Sequence, residues 1–181
     1  MKKQPQMCYR LIGVLWAAVL LGGAGCKKAE ELVAIKLPEA TQEGKQTFGC
    51  LVDDKVWTPY TDHLLDDKME ATYSTTSFRL SAEQEDDNFQ TRFDFDLTQP
   101  VIQPGTYAVG SGFKATYGDM KEAYTASSGS ITITKVGQGS STINNSTTYF
   151  TIVAGTFTFT ATSLNGKTIR VKDGRFDARA K

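Results

Sequence analysis

The stretch Phe89-Gln-Thr-Arg-Phe-Asp-Phe-Asp-Leu97 decides the fold of this chain, because its residues alternate in character at every step. The odd-numbered positions carry Phe, Thr, Phe, Phe and Leu, whereas the even-numbered ones carry Gln, Arg, Asp and Asp. Successive side chains of a β-strand point to opposite faces, so this pattern places one face in a core and the other in water. The stretch predicts a strand of an antiparallel sheet.

The same period of two recurs along the chain, and Asn, Asp, Gly and Pro clusters separate the segments that carry it. One of these clusters, Asp173-Gly174, is expected to make a tight turn between paired strands. Apart from one turn near residues 62–68, no segment has apolar residues at the spacing of an amphipathic helix. We therefore predict an all-β chain whose single antiparallel domain is a β-sandwich or a small β-barrel. The longest strand is expected to bend at Gly155. The predicted strands lie near residues 47–51, 55–57, 70–75, 77–82, 89–97, 105–109, 113–118, 122–125, 129–136, 147–162, 168–171 and 174–179.

The first 26 residues have the pattern of an export signal. Basic residues precede an apolar run over residues 11–21, which is too short to cross a bilayer as a helix. The segment that follows the run, Gly23-Ala-Gly-Cys26, resembles the lipobox of bacterial lipoproteins, although Gly23 stands where that motif usually has leucine. The resemblance implies that the signal is cut before Cys26 and that acyl chains such as palmitate are attached to this cysteine. The alternative is an ordinary secretory signal that is cut nearby.

These features predict three parts of the chain: a lipoprotein signal peptide over residues 1–25, a lipidated, flexible tether over residues 26–46, and an all-β domain over residues 47–181. The tether is inferred from its polar composition. The chain has 20 basic and 20 acidic residues, and removal of the signal removes three of the basic ones. A slightly acidic mature protein argues against nucleic acid as a partner.

Residues able to do chemistry are few. His63 is the single histidine, and Cys50 would be the one cysteine left in the domain, within an apolar alternation that suits a buried thiol. Asp94 and Asp96 share a strand face about 6.6 Å apart, which overlaps the carboxylate separation of inverting glycosidases. Arg92 shares that face and would hold both ionised. We assign no catalytic residue, no metal site and no cofactor.

Tyrosines are the residues most suited to hold a ligand, because their polar tips can line a cleft or the mouth of a barrel. Three of them lie on neighbouring predicted strands, namely Tyr107, Tyr117 and Tyr124. We predict these three as candidate ligand-binding residues. The alternative is that they lie at the sheet periphery with their hydroxyls in water.

The segment from Leu37 to Trp57 opens the domain, and residues 154–161 and 171–177 close it. Together these segments resemble an uncharacterised family of small lipoproteins from Gram-negative bacteria, a domain of unknown function. The likeness extends over most of residues 37–178. It implies a β-rich envelope protein and brings no known activity, ligand or catalytic residue.

These patterns lead us to expect a lipid-anchored protein of the cell envelope, at the outer membrane and facing the periplasm or the surface. It is expected to contact the membrane through the lipid on Cys26 and to act as a non-catalytic module that binds a glycan, an amphiphile or an envelope protein. The alternatives are a structural or assembly subunit of an outer-membrane complex, and a hydrolase that uses the carboxylate of Asp94 or Asp96.

Overall fold

The structure, a computed structural model, describes residues 36–61, 68–86 and 89–181. Within these ranges every regular element is a strand, so the predicted all-β class is confirmed. The strands are β1 (Thr47–Val52), β2 (Lys55–Trp57), β3 (Tyr60–Thr61), β4 (Met69–Tyr73), β5 (Ser77–Asp86), β6 (Phe89–Thr98), β7 (Gly105–Ala108), β8 (Phe113–Asp119), β9 (Ala123–Ile143), β10 (Ser146–Ser163) and β11 (Thr168–Ala180).

All the described strands belong to one sheet, in the order β2-β1-β11-β10-β9-β8-β6-β5-β3. In addition, β4 pairs with β5, and β7 pairs with β9. Every pairing is antiparallel except the short one between β3 and β5. The sheet curls on itself, and two backbone hydrogen bonds connect strands that are distant in the strand order. The N–H of Lys181 donates to the Ala71 carbonyl, and the N–H of Tyr73 donates to the Lys181 carbonyl, both at 3.1 Å. These bonds join the end of β11 to β4.

Aromatic rings fill the inner face of the curled sheet. Phe48 of β1 lies with its ring centroid 5.5 Å from that of Trp57, and Trp57 lies 4.7 Å from Phe93 of β6. Phe95 meets Phe157 of β10 edge to face at 4.8 Å. The alternation in β6 holds from Thr91 to Leu97, where Phe93 and Phe95 are buried and the charged side chains lie outside. Phe89, at the start of the strand, was expected on the buried face and is exposed.

The longest strands depart from the expected pattern in two ways. The predicted strands at 122–125 and 129–136 are one strand, β9, which continues to Ile143 as half of a long hairpin with β10. The bend predicted at Gly155 is present as a shift in pairing register between Ala154 and Gly155. A side chain there would place its Cβ 2.3 Å from the Thr132 carbonyl oxygen, which explains the glycine.

Asp173-Gly174 was expected to make a tight turn between two strands, and this expectation is wrong. Both residues lie inside β11, at a bulge where its pairing with β1 and with β10 shifts register. Asp173 has a φ of 51°, a conformation that serves a bulge as well as a turn. The neighbouring strands continue on both sides of β11, so the chain keeps its direction.

Residues 36–46, here called the strap, were predicted as part of a flexible tether, but they lie against the sheet. The Asp177 carboxylate on β11 accepts four hydrogen bonds from the strap. The Thr41 hydroxyl donates at 2.6 Å, and the backbone N–H groups of Glu43, Gly44 and Lys45 donate at 2.9, 2.7 and 3.2 Å. The domain boundary therefore lies before residue 46, and the strap belongs to the domain.

The strap also covers apolar surface on the outer face of the sheet. Ile152 lies on that face and is nevertheless buried, because Gly44 approaches its side chain. The Lys135 ammonium donates to the Gln42 carbonyl at 2.7 Å, which adds a further link to β9. No alternation in the strap indicates this docking, because the residues it contacts lie far away in the sequence.

Replacing Asp177 should release the strap. Burial alone would raise the pKa of Asp177, but the hydrogen bonds from Thr41 and from the backbone of residues 43–45 lower it overall. Its contribution to stability is therefore full above the unfolded pKa of about 3.9 and is lost as the pH falls through the lower folded value. Asp177→Asn should reduce the free energy of unfolding at pH 7 by at least about 2 kcal/mol.

Urea denaturation at pH 7 and at pH 3 measures this loss. Glu43→Gln is the matched control, since it removes a charge from the strap and keeps the backbone N–H that binds Asp177. Equal stability of the Asp177→Asn variant and the wild type at pH 7 would contradict the role of the carboxylate.

Candidate functional site

Two of the three candidate tyrosines meet at one end of the sheet. Tyr117 of β8 and Tyr124 of β9 are directly paired, with ring centroids 6.3 Å apart. The Tyr117 ring also packs 4.6 Å from Phe93. On the next strand, Ser163 of β10 pairs with Tyr124, so these three residues lie side by side across the sheet. The two rings therefore close one end of the aromatic core.

Tyr107 lies elsewhere. It pairs with Ile131 on β9, roughly 23 Å along the strand from Tyr124 at about 3.3 Å per residue. Its hydroxyl donates to the Gln103 carbonyl at 2.7 Å and accepts from the Gln103 N–H at 3.1 Å. The Tyr107 hydroxyl thus forms its hydrogen bonds with the loop that precedes β7, and the three tyrosines do not form one site.

A buried polar network lies beneath Tyr117. The Trp57 indole N–H donates to the Thr91 hydroxyl at 2.9 Å, and this hydroxyl lies 3.4 Å from the Gln84 side-chain oxygen. Tyr117 also hydrogen-bonds Thr91, and its pKa is raised, chiefly by burial. Thr91 is only 3% exposed. In the sequence its one distinguishing sign is that it is a hydroxyl residue on an otherwise apolar strand face.

Glu122 joins two turns at the same end. Its carboxylate accepts from the Tyr124 hydroxyl at 3.0 Å, from the Lys167 ammonium at 2.6 Å and from the Asn165 amide at 3.4 Å. The hydrogen bond from Lys167, followed by one from Ser163, lowers the pKa of Glu122 to about 2. The hydroxyl of Tyr124 is therefore held by a structural contact between the β8–β9 and β10–β11 turns.

A groove of about 480 Å³ crosses the outer face of β4, β5, β6 and β8, and we call it the charged groove. The Arg79 guanidinium lies 3.3 Å from the Asp96 carboxylate, and the Arg92 guanidinium lies 2.8 Å from that of Asp94. These four side chains are all substantially exposed. The polar side chains around the groove are Glu70, Thr72, Arg79, Ser81, Arg92, Asp94, Asp96, Lys114 and Thr116.

Strand register sets the order of charges in the groove. Asp96 lies between Arg79 of β5 and Lys114 of β8, and Asp94 lies one row further along the same face. Asp94 and Asp96 therefore each have a cation beside them. This arrangement suits recognition of a ligand with charges of both signs, because cations and carboxylates alternate at the spacing of adjacent strands.

The structure also locates the remaining candidates for chemistry. Cys50 is fully buried, as predicted, and burial raises the pKa of its thiol, which disfavours the nucleophilic thiolate. Cys26 and His63 lie outside the described residues. In the described ranges, no group of three or more His, Cys, Asp or Glu side chains is placed to bind a metal ion.

Comparison with known proteins finds no matching family model, no matching curated protein and no matching solved structure. The resemblance to a lipoprotein family of unknown function therefore stays a prediction. Across the part of the chain that is described, no helix is long and apolar enough to cross a membrane.

Replacing Thr91 by valine should destabilise the domain by about 1–3 kcal/mol, since the buried Trp57 N–H loses its acceptor. Thr72→Val, on the exposed outer face of β4, is the matched control and should change stability by less than about 0.5 kcal/mol. Urea denaturation followed by Trp57 fluorescence measures both. Equal effects of the two substitutions would contradict the network.

Glu122→Gln should make the domain less sensitive to acid. The folded pKa of about 2 lies below the unfolded value of about 4.3, so the contribution of Glu122 is full above pH 4.3 and is lost as the pH falls towards 2. Melting temperatures measured from pH 6 to pH 2 should fall less steeply in this variant. Lys167→Met, which removes the main partner, should reduce the slope in the same direction.

Proposed function

We propose that this chain is a lipid-anchored protein of the cell envelope, held at the outer membrane through Cys26, whose β-domain binds a charged glycan without catalysis. The observation that carries the proposal is the contrast between the two faces of the sheet. Aromatic rings fill the inner face, whereas the charged groove opens on the outer one.

A ligand within the sheet would have to displace packed rings. Phe93 alone lies within 6.5 Å, centroid to centroid, of Phe48, Trp57, Phe95, Tyr117, Phe157 and Phe159. Protein interiors packed in this way leave few voids larger than a water molecule. An amphiphile held inside the sheet is therefore disfavoured, and a polar ligand on the outer face is favoured.

The charged groove has the size and the donors for a short segment of glycan. Its volume of about 480 Å³ lies within the usual range for ligand sites. Arginine presents a planar fork that matches carboxylates, and Arg79 supplies one to the lining of the groove. Lys114 takes part in none of the ion pairs found among the described residues, so its ammonium is open to a ligand.

Peptidoglycan fragments test this proposal, because they carry both carboxylates and amines on a glycan. The protein should bind them with an affinity that falls as salt is added. Lys114→Ala and Arg79→Ala should each weaken binding about tenfold, equivalent to about 1.4 kcal/mol. Lys172→Ala removes an exposed cation on β11, outside the groove, and serves as the control.

The outcomes separate the parts of the proposal. Intact mass of the protein purified from membranes reports whether acyl chains are attached to Cys26. Binding that is equally weakened by the control would place the ligand elsewhere than the groove. Turnover of a substrate that is abolished by Asp94→Asn without a fall in melting temperature would replace the binding role with a hydrolase.

A second candidate function, a structural or assembly subunit, is favoured by the free end of the β9–β10 hairpin. The pairing of β10 with β11 ends at Thr151, and that of β9 with β7 ends at Ile133, so the hairpin extends beyond both neighbours. Residues 136–150 carry no charge, although exposed edge strands are usually protected by charges or proline. Crosslinking in cells from position 143 should then recover an envelope protein, and recovery of none would count against this role.

A further inference from the structure

Large apolar side chains are exposed at the turns on one end of the sheet. Met120 lies in the β8–β9 turn and is 72% exposed, and Leu164 lies in the β10–β11 turn and is fully exposed. Phe89, which begins β6, is also exposed. We call Phe89, Met120 and Leu164 the apolar rim. Three exposed apolar residues on separate hairpins differ from the scattered single ones that are normal on a protein surface.

Strand pairing and hydrogen bonds bring the members of the rim to the same end. Thr91, two residues after Phe89, pairs with Asp119, the residue before Met120. Across the sheet, Glu122 binds Lys167 at 2.6 Å, and this contact links the turn of Met120 to the turn of Leu164. The rim is therefore a fixed arrangement of hairpin ends.

We propose that the apolar rim inserts into the surface of a lipid bilayer, an inference that rests on the lipid anchor of the proposed function. Met120 and Leu164 lie in turns and Phe89 at the start of a strand, so each rim side chain belongs to a different hairpin. Each would enter the boundary between headgroups and acyl chains separately. Burial of apolar side chains at that depth is how peripheral proteins attach to membranes.

The end of β5 beside Phe89 is acidic, with Glu85 and Asp86, whereas the charges of the turns that carry Met120 and Leu164 do not oppose this contact. The Asp119 carboxylate accepts the backbone N–H groups of Lys121 and Glu122, and Glu122 is paired with Lys167. The two acidic and two basic side chains of these turns balance. Tyr124 lies just behind the rim, and tyrosines are enriched at membrane interfaces, where the ring is apolar and the hydroxyl meets water.

Followed from residue 44 back to residue 38, the strap runs towards the same end of the sheet. Gly44 lies beside Arg179 near the end of β11, whereas Pro38 contacts Gly49 and binds Arg175 through its carbonyl. Traced backwards, the strap thus follows β11 towards its start at Thr168, which adjoins the turn of Leu164.

The remaining distance is short enough for the chain to cover. Arg175 lies roughly 23 Å from Thr168 at about 3.3 Å per residue of strand. The described chain begins at Lys36, and the ten residues from Cys26 to that point span at most about 36 Å. A lipid on Cys26 and the apolar rim can therefore reach one membrane surface together.

The test uses the full processed protein reconstituted into phosphatidylcholine nanodiscs. An environment-sensitive fluorophore is attached through Leu164→Cys, and a matched probe is attached through Ile143→Cys at the opposite end of the sheet, where the native side chain is 69% exposed. Cys50 is buried and does not compete for the label. Brominated lipid should quench the probe at position 164 several-fold more than the probe at position 143. Equal quenching at both positions would overturn the proposal.

A second measurement separates the rim from the anchor. Residues 26–181 with Cys26→Ser, which lack both the lipid and the apolar signal segment, are mixed with phosphatidylcholine vesicles, and their partitioning is measured by sedimentation. Met120→Asp should lower partitioning about tenfold, equivalent to about 1.4 kcal/mol, with little dependence on salt. Tyr149→Asp, at the far end of the β9–β10 hairpin, should leave it unchanged. Equal partitioning of the parent and the Met120→Asp variant would refute the rim contact, whatever intact mass shows about Cys26.

Discussion

The packing of aromatic rings on the inner face of the sheet is the interaction on which the rest of the structure depends. Rings from β1, β2, β6 and β10 form one cluster in which neighbouring centroids lie within 6.5 Å. Each fully buried ring contributes about 1.5–3 kcal/mol through the hydrophobic effect. A flat sheet would leave these rings in water. The curl that joins β11 to β4 is therefore the geometry that lets the strands bury them.

Because rings fill the interior, the charged side chains lie on the outer face or at the ends of the sheet. Charged side chains of β5, β6 and β8 line a groove on the outer face, and Asp177 on the same side of β11 binds the strap. Met120 and Leu164, which lie outside the core, are exposed at two hairpin turns. The groove, the strap and the apolar rim are thus separate surfaces on one rigid core.

Several features of the fold could be read from the chain because they depend on near neighbours. The alternation in residues 89–97 predicts both the strand and the side that is buried, and the glycine at position 155 predicts the place where β10 bends. Asp173-Gly174 shows the limit of such inference. The same local conformation serves a turn or a bulge, and only the strands on both sides of β11 select the bulge.

The sequence by itself determined the strand class, the inward and outward faces, and the burial of Cys50, because a period of two is a local property of the backbone. Tertiary structure alone decided which residues meet: Tyr117 with Tyr124 but not with Tyr107, Asp177 with the strap, and the turn of Met120 with the turn of Leu164. The physical reason is that these contacts follow from strand order and register. Both are set by the simultaneous packing of all the rings, and no short stretch of sequence contains that information.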